Sequence, residues 1–425
     1  MHSMKPIELD GRTGEGGGQL VRIACALAAV ATVPIRITNV RGNRENPRGG
    51  GKGGGLKSQH VTAIEYLARA TSADVSGLSV GSHTVEFRPN EKPSDLQNRN
   101  IKIAADSPAA SVTLIFQAIF PFLLFAGNDK GEPVTLKISG GTNVSFSPSF
   151  EYLDQVLLPT LETAFGIQVE RELHGRGWSM GKASRGTVEF KISPLKPGEP
   201  LKFLGNDGLG EVYGGGTGDA QVETVDVSMI VPFDMIDLMT QALVADLEEI
   251  FPDVEVNFKV AEDSGADSRI YVLLVARSGD LRFGRDILTA VPKKSKNKHG
   301  MNASSLSESI SRKLAKELYD AVSLGGVVDE HLQDQVAVFQ ALAEGRTSFP
   351  RSVDDNVGLD GAIGNLSLEE RLRKEKMTEP FGEGSMHAKT ARWVTGMLLP
   401  HVKWFNKGRI CEGVGMHMEG IGKTR

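Results

Sequence analysis

The chain has 425 residues, 40% of them hydrophobic, which is ample for a large core and suggests two or three domains. A formal net charge of −5 excludes nucleic-acid binding through an overall basic field and leaves only a local patch. The two cysteines, Cys25 and Cys411, exclude a disulfide scaffold and a cysteine-built zinc site, and they fit a reducing compartment.

The N-terminus, "MHSMKPIELDG", lacks the apolar core of a secretory signal, so none is expected. A strand, loop, helix, strand, loop, helix, strand pattern then recurs about every hundred residues. The first copy begins at "PIELDG" and continues through a helix over residues 19–30, the strand "PIRITNV" and the helix "LKSQHVTAIEYLARAT". It closes with "HTVEFRP". The second begins at "IKIAAD", has helices in "PAASVTLIFQAIFPFLLF" and "SPSFEYLDQVLLPTLETAFG" around the strand "PVTLKISGG", and closes with "GTVEFKISP". Its most apolar run, residues 112–127, is too short to span a bilayer and contains Gln117 and Pro121, so it reads as a buried helix and no membrane partner is expected. After the linker "SPLKPGEP", residues 199–278 read as an inserted small α/β domain. There Met235, Leu238, Met239, Leu243 and Leu247 recur at helical spacing. A third copy is expected from "LRFGRDIL" through "SESISRKLAKELYDAV", "DEHLQDQVAVFQALAEG" and "MHAKTARWVTGMLLPHVKWF". Residues 1–198 and 279–425 would then form one domain of three repeats, with a polar loop insertion at 347–383.

Four stretches carry residues suited to chemistry. In "TGEGGGQLVR" a glycine run leads into a helix, so backbone N–H groups and the helix dipole can meet an anion. Arg22 can add charge, and Glu15 can hold a divalent cation. The same run also suits an ordinary tight turn. Arg41, Arg44, Arg48, Lys52 and Lys57 fall within 17 positions, followed by His60, which suits a polyanion or a solvated basic loop. In "HLQDQVAVFQALA", His331, Asp334 and Gln335 share one helix face near its start and can grip a nucleobase or ribose, or simply cap an exposed turn. His387 opens the helix of "SMHAKTARWV". A neutral imidazole at a helix N-terminus can act as a nucleophile towards a phosphate held by the same dipole, and a surface histidine is the plainer alternative.

Taken in order, "GEGGGQLVR", "PIRITNVRGNRENP", "GLKSQH", "GSHTVEFRP", "SGGTNVSFSPSFEYLDQVLLPTL", "DQVAVFQALAEG" and "SMHAKTA" resemble the RNA 3′-terminal phosphate cyclase family over nearly the whole chain, about residues 8–400. The resemblance implies an α/β fold of repeated β-α-β-α-β units, shared with enolpyruvyl transferases, with a thioredoxin-like inserted domain. It implies ATP as co-substrate, Mg2+ or Mn2+, and RNA 3′-phosphate ends as partner. It also implies a three-step reaction: a histidine takes AMP from ATP, AMP passes to the RNA 3′-phosphate, and the vicinal 2′-OH closes a 2′,3′-cyclic phosphate. By position, His387 would be the adenylylated nucleophile and Glu15 the metal ligand. Gln117 and the run His331, Leu332, Gln333, Asp334 and Gln335 would bind ATP. Arg22, Arg41, Arg44, Gln59 and His60 would face phosphates of ATP or of the RNA end. No feature sets an oligomeric state. Eukaryotic relatives would imply the nucleus, and otherwise the cytoplasm is expected; the basic run "PKKSKNKHG" suits nuclear import or a solvated loop equally.

The chain departs from the family pattern in several places. "RGGGKGGG" lengthens the connection before "GLKSQH", His331 stands where the family often has tyrosine, and "WSMGKASRG" replaces a glycine-rich loop. The alternative function is a non-catalytic cyclase-like factor of ribosome assembly (pre-rRNA processing). Such relatives lack the nucleophilic histidine and much of the glycine motif, and both are present here.

Overall fold

A computed structural model of the chain describes residues 4–44, 53–204, 222–292, 302–352 and 372–418. Arg48 and Lys52, most of "PKKSKNKHG" and the centre of the 347–383 insertion lie outside the described residues.

The fold is mixed α/β, and its first two units repeat one topology. Strands β1 (Ile7–Asp10), β2 (Ile35–Thr38), β3 (Asp74–Ser76) and β4 (Val85–Arg88) form a sheet of order β1-β2-β4-β3. Helices α1 (Gly18–Ala31) and α2 (Ser58–Ala70) connect them. The second unit has β5 (Asn100–Ala104), α3 (Val112–Leu124), β6 (Val134–Gly140) and the helical stretch α4 (Phe150–Tyr152) and α5 (Leu158–Phe165), which a π-helical turn at Leu153–Leu157 joins. Strands β7 (Val169–Gly175) and β8 (Gly186–Ile192) complete its sheet, in the order β5-β6-β8-β7. In both sheets the first two strands run parallel across a helical crossover and the remaining pairs are antiparallel.

Helix α1 has almost no polar face. Residues Leu20–Val21 and Ile23–Val30 are buried because α1 packs on α2, α3 and the later helix Met386–Leu398 as well as on its own sheet. Full burial of one such leucine contributes about 1.5–3 kcal/mol. Helix α3 is likewise apolar on nearly every side. Among the described residues no helix is long and apolar enough to cross a membrane.

The inserted unit is larger than the sequence suggests. It contains β9 (Thr224–Val231), α6 (Ile236–Ile250), β10 (Glu255–Asp263), β11 (Ile270–Ser278), β12 (Leu281–Thr289) and α7 (Ala303–Val322), with sheet order β10-β9-β11-β12. "LRFGRDIL", expected to open the third repeat, is β12 and pairs antiparallel with β11 as a hairpin. Helix α7, expected in the same repeat, buries Leu306, Ile310, Leu314 and Leu318 against this second core, together with Met235, Met239, Leu243 and Leu247. The third unit is therefore shorter: α8 (Glu330–Leu342), β13 (Glu344–Ser348), α9 (Met386–Leu398), β14 (Lys403–Phe405) and β15 (Ile410–Val414), with sheet order β13-β15-β14.

Candidate active site

Five helices gather around the site: α1 packs against α9, α9 against α8, and α1 against α2 and α3. Asp329 fixes the start of α8. Its carboxylate accepts from the N–H groups of His331 (2.8 Å) and Leu332 (3.0 Å), from Tyr152 Oη at 2.8 and 3.0 Å, and from the Gly284 N–H at 2.8 Å. Ser385 caps α9 by accepting from the Ala388 N–H at 3.2 Å.

The glycine turn before α1 is locked onto α9. The N–H of Glu15 donates to Thr390 Oγ1 at 3.0 Å. Gly14 has φ +67°, a conformation that disfavours side chains, and a Cβ there would strike Thr390 Oγ1. At Gly18 a Cβ would meet His60 Nε2 and the Arg22 guanidinium, so the missing side chain lets both approach the first turn of α1. That turn has no side-chain cap, which leaves its N–H groups for a ligand.

His387 is an exposed residue in the first turn of α9, with its ring partly enclosed where it meets Gln19. Its Nδ1 is 2.5 Å from Gln19 Oε1. The Gln19 amide NH2 in turn donates to Asp334 Oδ2 on α8. With Asp334 ionised, its carboxylate takes the NH2 of the amide and the amide oxygen faces the ring. A carbonyl oxygen only accepts, so Nδ1 carries the proton and Nε2 presents a lone pair to the cleft. Partial burial holds the imidazole pKa below its ordinary value, and nearby Arg22, Arg44 and His331 reinforce this against Glu330. Enclosure by protein pushes Asp334 up to about 7, with Arg22 opposing the rise.

His60 is buried and neutral. Burial depresses its pKa well below the ordinary range, and Arg22, Arg41 and Lys57 push the same way. Its Nδ1 accepts from the Lys57 N–H at 3.0 Å, so Nε2 carries the remaining hydrogen, and that atom is buried without a partner among the described residues. Burial also draws Arg22 down to about 10, still charged at neutral pH. Arg41 donates to the Gly55 carbonyl at 3.1 Å, and burial lowers its pKa too. Arg44 pairs with the buried Glu15 carboxylate. Gln59 is half-buried in the first turn of α2.

Beside this basic pocket is a cavity with polar groups from Gln19, Arg22, Gln117, Asp334 and Gln335 and an apolar wall that includes Phe120 and Phe339. Gln117 Nε2 donates to Gln335 Oε1 at 2.6 Å, and Gln335 Nε2 donates to the His331 carbonyl at 2.9 Å. Such a polar-rimmed apolar slot suits a nucleoside. His331 is exposed and is not among the residues lining this cavity, its ring lying edge-on to Tyr152 at 6.2 Å between centroids. Leu332 and Gln333 do not share this cavity: Leu332 is fully buried in the core and Gln333 lines a different cavity. Helical geometry turns successive residues about 100° apart, so a run of five cannot face one ligand. Gln19 is the residue that the sequence reading left without a role, although it stands directly behind the glycine run.

Over residues 13–357 the chain matches the family model described as RNA 3′-terminal phosphate cyclase. The chain belongs to that family. Among curated relatives, the RNA 3′-terminal phosphate cyclase of Thermococcus kodakarensis is 32% identical over 343 residues, covering 80% of this chain and 87% of that protein. The Pyrococcus furiosus protein of the same name is 32% identical over 340 residues (80% and 87%), and that of Nitrosospira multiformis 32% over 343 residues (80% and 85%). These cyclases are archaeal and bacterial, so they lend nothing to the nuclear placement expected from eukaryotic relatives. The family-model match ends before His387, whose place in the site rests on its bond to Gln19.

Proposed function

We propose that the protein is an ATP-dependent RNA 3′-phosphate cyclase that works through a covalent adenylate on His387. The observation that carries this reading is the contact of His387 Nδ1 with Gln19 Oε1, which leaves Nε2 unprotonated beside the glycine turn, Arg22 and His60. Nε2 attacks the α-phosphorus of ATP and pyrophosphate leaves. An oxygen of the RNA 3′-phosphate then attacks the same phosphorus, the N–P bond breaks, and the imidazole returns neutral. In the last step the adjacent 2′-OH attacks the terminal RNA phosphorus, loses its proton, and expels AMP. Adenylylation supplies the leaving group, and the 2′-OH is already in place, so closure needs only orientation and proton removal. DNA, lacking that hydroxyl, cannot close.

The uncapped N–H groups of α1, Arg22, Arg41 and His60 Nε2–H receive phosphate oxygens. Gln117, Asp334 and Gln335 line the nucleoside slot, and the His331 carbonyl holds Gln335 in place. Among the described residues no three or more His, Cys, Asp or Glu side chains cluster as a metal site. The single carboxylate of Glu15 fits a magnesium-type ion that draws its other ligands from triphosphate and water, once Arg44 moves to the phosphates. Such an ion would neutralise charge on the triphosphate. The joint presence of the glycine turn and His387 in one site favours this reading over a non-catalytic assembly factor.

The test is incubation with α-labelled ATP and a divalent ion, then denaturation. Wild type is expected to carry acid-labile, alkali-stable label, and His387→Asn none. A wild type that takes up no label, yet binds RNA tightly, would refute the proposal and favour the assembly factor.

A further inference from the structure

A second cavity, of about 220 Å3, lies on the other side of α8, between residues 350–352 and the loop that leads into α9. Its walls carry Gln333, Arg351, Glu383, Gly384, Arg392 and Arg409, three guanidinium groups against one carboxylate. Two of the arginines have structural tasks. Arg392 is 3% exposed and donates to the Glu383 carbonyl at 2.6 Å, tying down the loop that ends at the cap of α9. Arg409 grips the Glu383 carboxylate at 3.1 and 2.9 Å, which offsets the one negative charge of the cavity.

Arg351 and Gln333 are different. Arg351 reaches Glu330 with one terminal nitrogen at 3.4 Å, but its Nε is buried with no partner among the described residues. Gln333 is 6% exposed, and its Oε1 is likewise buried and unpartnered. Gly384 makes room for that oxygen, since a Cβ there would strike it. One cavity thus holds a guanidinium whose Nε–H lacks an acceptor and an amide oxygen that lacks a donor, among the described residues. A buried polar group left unpaired is costly, so a ligand that supplies both partners is favoured. A phosphodiester oxygen beside a ribose hydroxyl does so. Gly384 is three residues before His387, where the RNA end must come to collect its adenylate, so the preceding nucleotide has to lie close by.

Resting on the cyclase reading, we propose that this cavity holds the nucleotide before the RNA 3′ end, with its phosphodiester on Arg351 Nε–H and its 2′-OH donating to Gln333 Oε1. The experiment measures binding of a nucleoside 3′-monophosphate and of a 3′-phosphorylated trinucleotide by competition. It also follows labelling of the protein by ATP. Wild type is expected to bind the trinucleotide about 10-fold tighter than the mononucleotide. Arg351→Ala and Gln333→Leu each remove most of that advantage, and Arg351→Lys keeps part of it. Mononucleotide affinity and His387 labelling stay within about 3-fold of wild type, which also reports that the variants fold. A trinucleotide with deoxyribose at the penultimate position should bind wild type as the all-ribose strand binds Gln333→Leu. An advantage that survives in both variants, or a loss shared equally by the mononucleotide, overturns the assignment. If labelling fails in wild type while the length advantage and its loss in the variants persist, the adenylate chemistry is wrong and this strand site stands.

Discussion

Gln19→Met is the sharpest test of how His387 is held. Methionine fills similar space without the amide, so the change removes two contacts: the 2.5 Å bond to His387 Nδ1 and the donation to Asp334. The stability cost should be about 1 kcal/mol, because Asp334, with its pKa pushed up to about 7, can accept a proton instead of the lost donor. For a chain of this size that lowers the melting temperature by a few degrees at most. The rate effect is much larger. Without Oε1 the ring is free to rotate and to carry its proton on Nε2, the atom that must attack. Misplacing a reacting group by about 1 Å costs about 10²-fold, and the wrong tautomer adds to this, so transfer of labelled adenylate should fall about 10²–10³-fold. This corresponds to about 3–4 kcal/mol of lost transition-state stabilisation. The assay is single-turnover protein labelling at saturating ATP, with ATP affinity measured separately and expected to hold within a few-fold. Gln19→Glu restores an acceptor and should recover part of the rate, with its acidic limb moved upward by the second carboxylate. A Gln19→Met protein that labels within about 3-fold of wild type would show that the Nδ1 contact does not govern the nucleophile.

Burial pushes the Asp334 pKa up to about 7, so labelling by wild type should rise as pH passes through that value, when the carboxylate becomes a pure acceptor for the Gln19 amide. Asp334→Asn should be flat there. A carboxyl whose pKa is raised on folding favours the folded state most below its ordinary value of 3.8, and that contribution is lost as pH climbs towards about 7. Thermal melts should therefore shift in favour of Asp334→Asn between pH 5 and pH 8. Gly14→Ala forces a side chain into φ +67° against Thr390, and should cost about 1–2 kcal/mol and cut labelling, read by denaturant titration and the same assay. Arg22→Met should move the His387 imidazole pKa up towards its ordinary value, seen in a histidine NMR titration.

The helices, the glycine turn and most of the side chains gathered at the candidate site are legible because they are local patterns. Apolar spacing marks α6, and glycines beside a charged helix start mark the turn proposed to bind an anion. What stayed hidden depends on pairing between distant residues. The alternation in "LRFGRDIL" announces a strand but not its partner, and β12 chose β11 over a third-repeat sheet because a two-residue turn brings the two together. Gln19 joins His387 across 368 positions and Asp334 across 315, distances over which no spacing rule speaks. Gln333 and Asp334 are neighbours in sequence, yet the helix turns them to different cavities.

The charges around His387 make sense only when the ligand is added to them. In the proposed mechanism a triphosphate beside the ring would bring negative charge, and by itself that charge would raise the imidazole pKa and protonate the nucleophile. The free protein leans the other way: partial burial, Arg22 and Arg44 all hold the ring below its ordinary value. Each of these cations also sits where phosphate oxygens can take it up, Arg22 at the first turn of α1 and Arg44 over Glu15. In the proposed mechanism, arriving phosphates would oppose these cations, and the two effects on the ring would offset one another while Gln19 holds the proton on Nδ1. The same cations that keep the free imidazole neutral would then serve to bind the phosphates it attacks.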